Sequence, residues 1–346
     1  MLLSDYNYDL PDERIAKFPP KERGATRLLV LDRQDGNIKD SLYRNLDEFL
    51  RAGDVLILND TRVMRSRLFA TLPDGREREL VVLERHGGET DRVMYRGKLH
   101  EGDVLIIKTD SNTPDSAGTS SDSVCVTITK ILDGGIAEVE SSIPLSALAE
   151  KYGSVPLPPY LHRDATDDDV KRYQTVWAKN MGSAAAPTAS LNMTSDLLER
   201  LERKGVIINY LTLHVGLGTF LPIRTDKIED HHMHSEWFNI PEDTLSAIKA
   251  AKAAHHRVVA VGTTVTRTLE YYAKTGKTTG EDDIFIYPGF KFEIVDALLT
   301  NFHAPKSTVL MLASAFAGWE HLKHAYDYAV EHNYNFLSYG DSMFIC

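Results

Sequence analysis

Threonines at a strand-to-helix junction and a run of histidines are the residues here whose type and spacing best suit chemistry. In RVVAVGTTVTRTLE (257–270) an apolar strand ends at Gly262, and Thr263 and Thr264 stand where the next helix begins. The unpaired N–H groups of a helix start, joined by two hydroxyls, suit a carboxylate or a phosphate. An ordinary threonine cap is the plainer reading of the same residues. Arg267 and Glu270, three apart, share one face of that helix, as a surface ion pair would. DHHMHSEW (230–237) places His231, His232, His234 and Glu236 close together. No HExxH pattern accompanies them, so no metal site is expected. On a strand His234 and Glu236 would face the same way, an arrangement suited to acid–base work. His214 and His303, the latter in LLTNFHAPKS, are further candidates for proton transfer, against the commoner role of a structural histidine. LHVGLGTFLP (213–222) lacks the third glycine of a dinucleotide fingerprint, and Pro222 stands where a helix should open. Gly216 and Gly218 therefore mark a turn passing close either to a ligand or to packed chain. There is no GxSxG, Walker loop or kinase signature.

The chain that must position these groups has 346 residues, 42% hydrophobic and 26% charged, enough for about two domains with buried cores. Its net charge of −11 argues against indiscriminate nucleic-acid binding but leaves room for a local basic patch. Arginine-rich RVMRSR (62–67) and REREL (76–80), and acidic DATDDDVKR (164–172) and GEDD (280–283), read first as solvated surface. Two cysteines, Cys125 and Cys346, cannot build a disulfide framework or a four-cysteine metal site. With no basic-then-apolar leader and no apolar tract long enough to cross a bilayer, a cytoplasmic protein is expected, with no membrane partner.

From Val55 to about Glu140 short runs rich in β-branched residues (VLIL, ELVVLER, RVMYRG, DVLIIK, VCVTITKI, IAEVE) alternate with turn residues and predict a compact β module. TDSNTPDSAGTSSDS (109–123) reads as a loop between two of them. PLSALAEKYG predicts a short helix, and LPPY (157–160) an extended segment. From Thr194 helices and strands alternate: TSDLLERLERKG, VIINYLTLHV, PEDTLSAIKAAKAA, RVVAVG, TTVTRTLEYYAKTG and DIFIYPG, then two helices and a closing strand near FLSYGDSMFI. Such alternation predicts α/β layering around a largely parallel sheet.

Read together, ordered short stretches resemble one family, the S-adenosylmethionine:tRNA ribosyltransferase-isomerases of queuosine biosynthesis. They are YDLP (8–11), RLLVLDR (27–33), LNDTRV (58–63), PLPPYL (156–161), RYQTVWA (172–178), AAPTA (185–189), TLHVGLGTF (212–220), MHSEW (233–237), VGTT (261–264), RTLE (267–270), FIYPG (285–289), TNFH (300–303) and SYGDSM (338–343). The resemblance implies an α/β main domain formed from both ends of the chain, residues 1–60 and 144–346, with an inserted all-β, barrel-like domain over 61–143.

It also implies a reaction without metal or prosthetic group. S-adenosylmethionine is the co-substrate, and its ribosyl part passes to 7-aminomethyl-7-deazaguanine at the wobble position of a tRNA. The products are epoxyqueuosine-tRNA, adenine and methionine. By the same resemblance His214 or His234 is the base, with Glu236 orienting the latter, and His303 is a further catalytic candidate. Gly216, Gly218, Thr263, Thr264, Arg267 and Tyr287 would hold S-adenosylmethionine, the threonines and Arg267 through its carboxylate and Tyr287 by stacking. Asp60, Arg62, Thr188, Asn192 and Asn301 would contact the substrate's sugar or anticodon. A monomer is expected. The chain departs from the family's AAPTAGLHFT in reading AAPTASLNMT, so Ser190, Asn192 and Met193 replace glycine, histidine and phenylalanine. Asparagine cannot take a proton at neutral pH. Arg65, Ser66 and Ala304 also depart from the pattern. Two alternatives follow: a diverged tRNA- or S-adenosylmethionine-binding member without transfer, or an enzyme cleaving S-adenosylmethionine for a small-molecule acceptor.

Overall fold

The computed structural model describes residues 1–83, 90–108, 124–216, 223 and 225–346. A nine-stranded sheet runs, edge to edge, Thr279–Asp282, Glu236–Asn239, Ile207–Leu213, Val55–Asn59, Val258–Val261, Ala297–Asn301, Ser342–Ile345, Arg27–Leu31 and Ile38–Leu42. Residues that alternate along its strands go to opposite faces. Leu29, Leu31, Val55, Ile57, Ala260 and Leu298 pack with the helices Glu242–Ala253, Thr263–Thr275, Thr308–Ala317 and Trp319–Glu331. Leu28, Val30, Leu56, Leu58, Val259 and Leu299 pack with Leu197 and Leu201 of the helix Ser195–Lys204. Strands buried on both sides in this way carry unbroken apolar runs instead of alternation.

The sheet is mixed, not largely parallel. Ile207–Leu213, Val55–Asn59, Val258–Val261 and Ala297–Asn301 are mutually parallel. Ser342–Ile345 then enters antiparallel to Ala297–Asn301 and parallel to Arg27–Leu31, and the outer pairs are antiparallel. DIFIYPG (283–289) is not a strand; pairing ends at Asp282, and Ile286 fills the core from an irregular segment.

Six antiparallel strands, Arg67–Thr71, Glu77–Val82, Arg92–Arg96, Val104–Ile107, Cys125–Leu132 and Ile136–Ser141, close into a barrel around Leu68, Leu80, Val93, Leu105, Val126 and Val139. Closure leaves the barrel no open edge. VLIL (55–58), which begins the strand-rich stretch of sequence, belongs instead to the centre of the large sheet. The loop predicted over 109–123 lies outside the described residues. Among the described residues no helix is long and apolar enough to cross a membrane.

Candidate active site

The parallel strands end together, and ligands of α/β sheets bind beyond such carboxyl ends. There a cleft of about 420 Å³ opens, lined by Gly262, Thr263 and Thr264, by residues 300–307 and by residues 185–189, with Tyr160 and Ser338 on its wall. Its volume falls in the range of roughly 300–1,000 Å³ common for small-molecule sites.

Gly262 turns the strand Val258–Val261 into the helix Thr263–Thr275 with φ +94°, a conformation that suits glycine. No side chain caps that helix, so its first N–H groups stay open toward the cleft. Thr264 Oγ1 is buried without a partner. Asn301, at the end of its strand and 3% exposed, accepts a hydrogen bond from Thr188 Oγ1 at 2.8 Å, while its Nδ2 is buried and unpartnered. A buried polar group left unsatisfied costs about 1–3 kcal/mol. Both atoms belong to residues lining one cleft, where a bound polar ligand would satisfy them.

His303 lines the same cleft and is fixed on several sides. Its Nε2 shares a 2.8 Å hydrogen bond with Thr300 Oγ1, its N–H donates to Tyr326 Oη at 2.8 Å, and its carbonyl accepts from Tyr8. Burial pushes the imidazole down to about 3, so it is neutral at pH 7 and offers hydrogen bonds without charge.

One turn further along the helix lies a cluster of different character. Arg267 donates from Nη1 to Glu236 Oε2 at 2.8 Å and from Nη2 to the Asp282 carbonyl at 3.3 Å, with the Asp282 carboxylate 3.8 Å away. All three residues are buried. Burial raises the Asp282 carboxyl to about 6, against the pull of Arg267. Glu236 Oε1 also accepts the Gly216 N–H at 2.9 Å, which ties the cluster to the turn after Ile207–Leu213. Glu270 does not pair with Arg267. It is fully buried and accepts backbone N–H groups from Glu293, Ile294 and Val295 at 2.8–3.0 Å.

A third group stands at the end of Val55–Asn59. Asp60 accepts from Thr212 Oγ1 at 2.6 Å and from Asn180 Nδ2 at 3.0 Å, and Thr61 Oγ1 shares a 2.8 Å hydrogen bond with His214 Nδ1. The His214 ring stacks on Trp237 with centroids 5.1 Å apart.

The sequence pattern of the family described as queuosine biosynthesis protein matches residues 3–345. The chain belongs to that family. Similar members include proteins named S-adenosylmethionine:tRNA ribosyltransferase-isomerase from Pelodictyon phaeoclathratiforme, 52% identical over 354 residues, and from Pelobacter propionicus, 44% identical over 351 residues; both alignments cover 100% of each chain. The crystal structure of the S-adenosylmethionine tRNA ribosyltransferase from Thermotoga maritima is 31% identical, with a TM-score of 0.56, and the match covers 99% of this chain and 100% of that one.

For this queuosine-family chain the structure gathers Thr188, Thr263, Thr264, Asn301 and His303 around one cleft. Among the described residues His214, Gly216, Glu236 and Arg267 do not line it, although Val215 does. Arg267 is turned to buried carboxylates and does not line the cleft, although it borders a smaller pocket with Thr263 and Thr264. His234 is exposed ahead of the strand Glu236–Asn239 while Glu236 is buried, so the two do not face the same way. Asp60 is engaged by Asn180 and Thr212, and Arg62 is exposed. Asn192 is buried off the cleft, where Nδ2 donates to the Gly340 carbonyl at 3.4 Å. Tyr287 packs against Phe285 with ring centroids 5.2 Å apart. Gly218 lies outside the described residues. Among the described residues no group of three or more His, Cys, Asp or Glu is arranged to hold a metal. Sequence reasoning missed Thr300, Tyr8 and Tyr326, which fix His303, and Tyr160 and Ser338 in the wall. Thr300, Tyr160 and Ser338 lie in TNFH, PLPPYL and SYGDSM, so motif membership was the available signal.

Proposed function

We propose that this protein is a cytoplasmic, monomeric S-adenosylmethionine:tRNA ribosyltransferase-isomerase. It moves the ribosyl part of S-adenosylmethionine to the aminomethyl nitrogen of 7-aminomethyl-7-deazaguanine in a tRNA anticodon. The sulfonium acidifies the adjacent 5′ carbon, a base removes that proton, adenine is expelled, and the neutral amine attacks the isomerised sugar as methionine departs. Epoxyqueuosine-tRNA, adenine and methionine result.

The observation that carries this reading is the pair of buried, unpartnered polar atoms, Thr264 Oγ1 and Asn301 Nδ2, in a cleft beside an uncapped helix N-terminus. We assign the methionine carboxylate of S-adenosylmethionine to that corner, where N–H groups and a hydroxyl favour an anion. His303, kept neutral by burial, is too weak a base for a carbon acid and is assigned to hydrogen bonding with the sugar or the departing adenine. His214, its ring fixed by Thr61 and Trp237, stands outside this cleft, and the base is left unassigned.

The test is incubation with S-adenosylmethionine labelled in the ribose, with and without tRNA carrying the aminomethyl base. Label entering tRNA with adenine release is the expected result. Adenine released equally without tRNA would point to a small-molecule acceptor, and binding of both substrates with neither product would make this a binding protein.

A further inference from the structure

The most exposed large apolar side chain among the described residues is Phe18, 61% exposed, in the segment KFPPK (17–21). Its surroundings are built. The Arg163 guanidinium lies 4.2 Å from the Phe18 ring centroid and is immobilised by two hydrogen bonds to Asp169, at 2.7 and 2.8 Å, and one from Nε to the Lys17 carbonyl at 2.7 Å. Asp169 is 1% exposed and also accepts from Tyr339 Oη at 2.6 Å and from Thr166. From the other side Arg172 donates to the Pro20 carbonyl at 2.6 Å. Lys17 and Lys21 flank the ring and are exposed. In a chain of net charge −11, an open aromatic face thus sits against Arg163, itself ion-paired with Asp169, with the exposed Lys17 and Lys21 close by in sequence.

This platform adjoins the cleft. Ile15 bridges to Phe336, immediately before the cleft residues Leu337 and Ser338, and Tyr160 of the cleft wall precedes Arg163 by three residues, at most about 11 Å of chain. Beyond Arg163 a groove of about 470 Å³ runs against the barrel, where Tyr95 and Arg96 form the opposite wall. Arg96 is 68% exposed, and its ion-pair contact among the described residues is Glu79 at 3.9 Å. Of the exposed acids nearby, Asp164 is paired with Arg67, while Asp167, Asp168 and Glu22 are also exposed.

We infer that Phe18, with Lys17, Lys21 and Arg163, and Arg96 across the groove, is the contact surface for the single-stranded loop of the tRNA. A nucleobase neighbouring the reacting one stacks on the open face of Phe18, and its phosphates lie against the lysines and Arg96. Aromatic stacking beside a positive track is how unpaired nucleotides are held, and the same ring would gain little from a duplex. The inference rests on tRNA being the substrate, as proposed above.

The experiment uses the full-length protein and tRNA in filter binding at several salt concentrations, with S-adenosylmethionine binding followed separately. Phe18→Ala is expected to weaken tRNA binding roughly tenfold to a hundredfold. Phe18→Trp should restore most of it. The double variant Lys17→Ala/Lys21→Ala should flatten the dependence of log affinity on log salt by roughly one to two, a change Phe18→Ala should not produce. S-adenosylmethionine affinity should be unchanged in every variant. Wild-type tRNA affinity in Phe18→Ala, or an equal loss of S-adenosylmethionine affinity, overturns the inference. If the wild-type protein transfers label while Phe18→Ala binds tRNA normally, the platform falls and the reaction stands. If Phe18→Ala loses tRNA binding and the wild type transfers no label, the platform stands and the reaction falls.

Discussion

The first turn of the helix Thr263–Thr275 and the turns that follow it treat polar groups differently. Toward the cleft, Thr264 Oγ1 and the neighbouring Asn301 Nδ2 are buried and unpaired, and His303 is held neutral. Further along the helix, Arg267 pairs with Glu236 and approaches Asp282, although Arg267 Nε and Asp282 Oδ2 also lack a partner, and Glu270 accepts three backbone N–H groups. One short motif therefore divides between tasks: its threonines face the ligand space, and its charged residues fasten the helix to the sheet edge. Open polar atoms in the cleft wall mark where a ligand is to come, and the ion-paired groups mark framework.

The sharpest test of this contrast is Arg267→Leu, which strands two buried carboxylates. A stability loss of about 3–5 kcal/mol is expected in urea denaturation, and a loss below about 1 kcal/mol would break the framework assignment. Asp282 gives a pH signature of the same cluster. Its folded pKa, raised to about 6, lies above the unfolded value, so its contribution is fully present below about pH 4 and is lost as pH rises through 6. Denaturation across that window should show wild type losing about 3 kcal/mol relative to Asp282→Asn. On the ligand side, Thr264→Val and Asn301→Ala should each lower S-adenosylmethionine affinity about tenfold to a hundredfold in titration calorimetry, as loss of a hydrogen bond to a charged group does. Thr264→Val should leave thermal stability unchanged or slightly raised, because the hydroxyl removed has no partner; a clear destabilisation would erase the distinction. The smallest effect is expected at Asn192, off the cleft and held by one long hydrogen bond. Asn192→Ala should cost about 1 kcal/mol and leave turnover within about twofold.

Much of the architecture was legible. β-branched runs punctuated by turns announced the barrel strands, and strand–helix alternation announced the layered sheet. Strand direction was not, because it depends on partners far apart in the chain: Ser342–Ile345 slots between Ala297–Asn301 and Arg27–Leu31 with opposite senses toward each. DIFIYPG misled for a related reason. Its apolar residues serve the core from irregular chain, and composition alone does not distinguish that from a strand. Within the site, Thr263, Thr264, Asn301 and His303 could be found because strand ends and helix starts cluster functional groups. The fate of Arg267 could not, since Asp282 is distant in sequence and only the pairing of Glu236–Asn239 with Thr279–Asp282 brings its carboxylate alongside. His234 and Glu236 failed as a pair because the strand starts one residue after Ser235, too late to align them.

The insertion of Ser342–Ile345 beside Arg27–Leu31 bears on how the molecule is made. Arg27–Leu31 emerges early from the ribosome with only the hairpin partner Ile38–Leu42 available, and its other edge waits until the strand that covers it has been synthesised. Through that interval Leu28, Leu29 and Leu31, all fully buried in the finished protein, lack most of their cover. An open apolar edge of this kind is prone to mispairing, and the wall beside the cleft is completed only once Ser342–Ile345 has been made.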